Sequence, residues 1–95
     1  MNDESINLYV DSIINDAATI KFKKEIITFF LNFSKNPDIS KQEKIFVYEI
    51  KTKDICRYIK LTIKVSKNQK NNNTINIWYN KEENIRNTQI NPLNS

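Results

Sequence analysis

Hydrophobic positions recur along this chain with two different periods, and the change falls near Pro37. Before it, Ile6, Val10, Ile13, Ile14 and Ala17 lie three or four residues apart. That spacing lines one side of a helix. It predicts a helix over residues 4–17, capped by Asp3 or Ser5, with Asp3 and Glu4 near its positive end. Phe22, Ile26, Ile27, Phe29, Phe30 and Phe33 keep the helical period and cover more than half the circumference of a second segment. A core helix over 20–35 is expected there, with Thr19 as a cap. It should stop at Asn36-Pro37, since the residue before proline is pushed out of helical backbone. The pattern leaves open whether this helix is separate or continues the first.

After Pro37 the period becomes two. From Lys44 to Lys51, Phe46, Tyr48 and Ile50 fall on one face and Ile45, Val47 and Glu49 on the other. Between Arg57 and Lys67, Ile59, Leu61, Ile63 and Val65 alternate with Lys60, Thr62, Lys64 and Ser66. One buried face and one wet face is the signature of an antiparallel sheet covered on one side. Thr52 to Cys56 reads as the hairpin loop, and the polar run Asn68 to Asn73 as a second loop. A third strand is expected over 74–80, with Ile75, Ile77 and Tyr79 on one face and Asn76 and Trp78 on the other. Residues 81–95 are polar, with sparse Ile85, Ile90 and Leu93. They allow a short helix from Lys81 to about Asn87 and then a tail. The expected fold is α+β: two N-terminal helices on one face of a three-stranded antiparallel meander, in a single domain over 1–87, with a polar tail over 88–95.

Composition removes whole classes of chemistry. The 95 residues include no Gly and no His. Phosphate-binding loops, dinucleotide-binding turns and nucleophile elbows need glycine where a Cβ would clash. Histidine is the commonest general acid–base group and zinc ligand. Cys56 is the only cysteine, so no intrachain disulfide can form. Lys53 and Arg57 flank it and cations lower a thiol pKa, but no base accompanies it, and a small buried hydrophobe is the expected role. On a helix Glu82 and Glu83 would diverge by about 100°, which rules out a paired acid–base site. A non-enzymatic protein without cofactor or metal is expected. No basic segment followed by an apolar stretch marks the N-terminus, and the apolar run around Ile26–Phe33 is far short of the roughly 20 residues of a membrane span. A cytoplasmic protein with no membrane partner is therefore expected. The abundance of Asn, Ile and Lys reflects an AT-rich source and reduces the weight of any single lysine.

Charge is uneven. Residues 1–19 carry Asp3, Glu4, Asp11 and Asp16 and no base, whereas 20–70 carry thirteen Lys/Arg against Glu25, Asp38, Glu43, Glu49 and Asp54. The plain explanation is a solvated surface; the functional one is a basic face for an acidic protein or for nucleic acid. If the third strand pairs with the second, Trp78 shares a face with Lys60, Thr62 and Lys64. The expected partner-binding residues are Trp78, Lys51, Lys60, Thr62 and Lys64, because an aromatic among lysines anchors an interface or stacks a base. The competing expectation is that Ile85 or Ile90 folds back and covers Trp78. Arg57 and Arg86 are the only guanidinium groups. Base readout relies heavily on Arg, so a protein partner with an acidic surface is favoured over nucleic acid. An inhibitor or immunity-type effector of a phage or other mobile element fits a chain this small and motif-free. The outer face with Ile45, Val47 and Trp78 is also suited to a homodimer.

Overall fold

The computed structural model describes residues 3–68, 70 and 74–87. The tail expected over 88–95, with Ile90 and Leu93, lies outside them, as does most of the loop expected over 68–73. The architecture is α+β: helix α1 (Asp3–Ile13), a 3-10 turn (Ile20–Phe22), helix α2 (Lys23–Lys35), and strands β1 (Lys41–Lys51), β2 (Ile55–Lys67) and β3 (Ile75–Asn87). The strands form an antiparallel open sheet in the order β1-β2-β3.

Helix α1 ends four residues earlier than its pattern predicts, and Ala17 is exposed instead of extending the apolar stripe. Asp16 is the cause. Its Oδ1 accepts the backbone N–H of Ala18 (2.9 Å) and Thr19 (3.0 Å), which offers the chain a turn in place of another helical bond. Ser5 lies inside α1. Thr19 makes no side-chain cap; its hydroxyl donates back to the Asp16 carbonyl at 3.0 Å. The two helices are therefore separate, and the Lys23–Asp11 ion pair at 2.7 Å joins them. As expected, α2 stops at Asn36, whose backbone is extended (φ −106°, ψ 100°) before Pro37.

All three strands run longer than their alternation predicts. The hairpin between β1 and β2 shrinks to residues 52–54, and Ile55 and Cys56 join β2. Two-residue hairpins favour positive φ at a Gly or Asn, and no described residue has it. Here a side chain completes the turn: Thr52 N–H donates to the Ile55 carbonyl (2.8 Å), and Ile55 N–H donates to Thr52 Oγ1 (3.1 Å). The largest difference concerns residues 81–87, where the sequence allows a short helix. They extend β3, with Lys81 opposite Leu61 and Asn87 opposite Ile55. Lys and Glu favour helix locally, but the long β2 supplies an unpaired edge whose backbone bonds outweigh that preference. Glu82 and Glu83 consequently point to opposite faces.

Ile6, Val10, Ile13 and Ile14 meet Ile26, Phe29, Phe30 and Phe33 and the alternating residues Phe46, Tyr48, Ile50, Ile59, Leu61, Ile63 and Val65 in one buried apolar cluster. Aromatic contacts run through it. Phe29 meets Phe46 edge-on at 6.0 Å, and Phe22 stacks on Tyr48 at 3.8 Å. A 13-residue strand spans about 43 Å, whereas α2, of equal length, spans about 20 Å. The sheet therefore outruns its helices, and from Trp78 to Asn87 every residue of β3 is exposed.

A paired hydrogen bond ties the helical side of the chain to the sheet, beside single contacts from Lys81 Nζ to the Ile13 carbonyl (3.4 Å) and from Lys67 Nζ to the Asn36 carbonyl. Arg57 donates through Nη2 to Asp16 Oδ2 (2.9 Å) and through Nη1 to Oδ1 (3.3 Å), and its Nε reaches Glu83. The Arg57 hydrogen bond, helped by the backbone N–H groups of Thr19 and Ala18, lowers the Asp16 pKa to about 2. The unfolded chain, with an ordinary carboxyl, then binds more protons than the folded one in acid. This contribution is complete above about pH 5 and is lost as pH falls toward 2. The Asp16 side chain is 40% exposed, so solvent screening limits the effect to about 1 kcal/mol. Asp16→Asn should lower stability near neutral pH by that amount and flatten the decline between pH 5 and 2. Thermal melts across that range test it; a variant with the wild-type pH profile would show that the contact contributes nothing.

Candidate functional site

The face of the sheet away from the buried cluster carries Ile45 and Val47 from β1, Tyr58, Lys60, Thr62 and Lys64 from β2, and Trp78, Asn80 and Glu82 from β3. The register sets their neighbours: Glu43, Lys64 and Trp78 lie in one row, Ile45, Thr62 and Asn80 in the next, and Val47, Lys60 and Glu82 in a third. Alternation along β3 fixes the side to which Trp78 points.

Trp78 is 52% exposed, and the Lys64 ammonium sits 4.8 Å from its ring centroid. Such an arrangement holds the indole in place through the cation's attraction to the ring face, at a cost in Lys64 side-chain freedom. Ile85 cannot cover Trp78, because it lies in register with Arg57 on the opposite face and is itself 63% exposed. Ile90 lies outside the described residues. Beside the indole is an open groove of about 590 Å³ lined by Lys41, Gln42, Glu43, Lys64, Val65, Ser66, Asn76, Ile77 and Trp78.

The sequence-predicted residues do not all converge. Trp78 and Lys64 line the groove together. Thr62 and Lys60 follow along β2, with Lys60 flanked by Glu82. Lys51 sits at the other end of the sheet, opposite Cys56, eight positions or about 26 Å along β2 from Lys64. It pairs with Glu49 on its own strand at 3.1 Å, and that hydrogen bond raises its pKa. Sequence reasoning missed Lys41, Glu43, Ser66 and Asn76. Lys41 and Glu43 fell outside the predicted first strand, and only the β1–β2 register brings them beside Lys64.

The lysine-rich middle of the chain does not form one basic surface. Lys21, Lys23, Lys24 and Lys35 are on the helical segments. On the outer sheet face, Lys41, Lys51, Lys60, Lys64 and Arg86 are interleaved with Glu43, Glu49 and Glu82. Both guanidinium groups have partners within the chain. Arg57 is held by Asp16 and Glu83 on the other face, and Arg86 lies 5.4 Å from the Tyr58 ring centroid. Arg57 therefore points away from its neighbour Cys56. The Cys56 thiol is buried on the outer face, with Sγ 3.8 Å from Glu49 Oε1. Among the described residues, no three His, Cys, Asp or Glu side chains are grouped to hold a metal, and no helix is long and apolar enough to cross a membrane.

No protein-family model, curated protein or solved structure matches the chain.

Proposed function

We propose that this chain is a small non-enzymatic binding protein, with its helices stacked on one face of the sheet and a protein partner docking on the other around Trp78. The half-exposed indole, held by Lys64 at the wall of an open groove, is the observation that carries the reading. Rigid aromatic anchors of this kind dominate binding energy at interfaces, and Ile45 (51% exposed) and Val47 (70% exposed) extend the apolar surface. The lysines around them would steer an acidic partner and set its orientation. Such a chain works by occupying its partner's surface, as an inhibitor or immunity-type protein does. A nucleic-acid partner is less favoured by the interleaved glutamates and by the internal engagement of both arginines.

Affinity capture from a lysate of the source cell, with and without nuclease, tests the proposal. Trp78→Ala should release the captured protein, with a loss of about 2 kcal/mol or more that appears mainly in the dissociation rate. Lys60→Glu combined with Lys64→Glu should slow association. Both variants should melt like the wild type. A blue-shifted Trp78 emission in the free protein, shielded from quencher and unchanged by the captured partner, would remove the site. Capture that nuclease abolishes, with a steep decline in salt, would replace the protein by nucleic acid.

A further inference from the structure

Strand β3 is an edge of the sheet, and from Trp78 to Arg86 all of its side chains are exposed. An open edge presents unpaired backbone groups, and proteins commonly protect it with charges on the core-facing side. Lys81 and Glu83 occupy that position here, alternating with Tyr79 and Ile85. The order of these residues is self-complementary in one antiparallel register.

We propose that β3 pairs antiparallel with β3 of a second copy of this chain, about a two-fold axis at Glu82, giving a continuous six-stranded sheet. In this register Lys81 of each copy faces Glu83 of the other, and Tyr79 faces Ile85. On the outer face Trp78 of one copy comes opposite Arg86 of the other, which rests against the Tyr58 ring of its own copy. Opposite charges and aromatic–aliphatic pairs are the favourable cross-strand combinations. Tyr79 already meets Tyr9 of α1 edge-on at 6.3 Å, so Ile85 of the second copy would extend an existing apolar contact across the seam. Moving the axis to Lys81 sets lysine against lysine and Glu83 against Tyr79. Moving it to Glu83 sets glutamate against glutamate and Lys81 against Ile85. The Glu82-centred register is the one of the three that pairs opposite charges on the core-facing side. Its unfavourable element on the axis is Glu82 against Glu82, each opposite Lys60 of its own copy. Glu83, held by Arg57, and Lys81, whose Nζ donates to the Ile13 carbonyl at 3.4 Å, would each share that partner across the seam. The pairing leaves Ile45 and Val47 open and does not depend on the proposed protein partner, although Trp78 borders both surfaces.

One strand pair is a small interface, so association in the micromolar range is expected. Sedimentation equilibrium from low micromolar to several hundred micromolar should show a reversible dimer. Ile85→Ser should weaken it about tenfold with an unchanged melt, and Glu82→Gln should tighten it about threefold or more. In a Cys56→Ala background, Glu82→Cys should be linked by a short bismaleimide into a dimer. Asn80→Cys should link poorly with itself and efficiently with Asn84→Cys. A chain that remains monomeric at every concentration would overturn the proposal. So would preferential linking through Val47→Cys on the opposite edge, or a Glu82→Gln variant that associates more weakly.

Discussion

Phe30→Ala should cost about 3–5 kcal/mol, the largest loss expected from a single truncation in this domain. Phe30 is fully buried at the centre of α2, with Tyr9 edge-on at 6.1 Å and Phe29 at 5.6 Å. Removing the ring leaves a cavity in the buried apolar cluster that the surroundings can only partly close. A chain of this length has about 5–14 kcal/mol of total stability, so the variant should be marginal. Phe30→Leu keeps most of the volume and should cost much less, about 1.5 kcal/mol. Urea unfolding followed by circular dichroism reads the difference as a shift in midpoint at constant slope. A cost below about 1 kcal/mol for the alanine variant would mean that α2 is not packed in solution as described.

Leu61→Ala and Thr62→Ala form the second test, because these neighbours on the central strand face opposite ways. Leu61 is 1% exposed within the apolar cluster, with Phe46 and Lys81 as its cross-strand neighbours. Its truncation should cost about 2–5 kcal/mol. Thr62 lies between Ile45 and Asn80 on the outer face and is half-buried, and its truncation should cost well under 1 kcal/mol, roughly within the range of surface substitutions. Equal losses would show that the two faces of β2 are wrongly assigned. The comparison also bears on the candidate site, since Trp78 takes its side of the sheet from pairing with this strand.

The outer-face site was legible in part. Alternation placed Trp78, Thr62, Lys60 and Lys64 on a common face, and the structure sets Lys64 against the indole. Lys51 was grouped with them because it shares that face, but position along the strand separates it from Trp78. The uneven charge was legible as a quantity per segment. Its spatial meaning was not, because consecutive strand residues diverge and the lysines of 20–70 are divided among helices, both sheet faces and loops. The local composition of 81–87 pointed to helix, and the preference was overridden by pairing with residues 55–61.

The sequence by itself determined the order and type of the main elements, the break at Pro37 and most of the buried set from Ile6 to Val65, Ala17 excepted. These follow from periodicity, a property each segment carries alone and that burial of one face enforces. The tertiary structure alone decided the strand registers, the length of β3, the end of α1 and the groove beside Trp78. It also decided the union of Asp16, Arg57 and Glu83, residues separated by 41 and 26 positions in the chain. Such contacts depend on which backbones are brought together, and no spacing within a single segment encodes them.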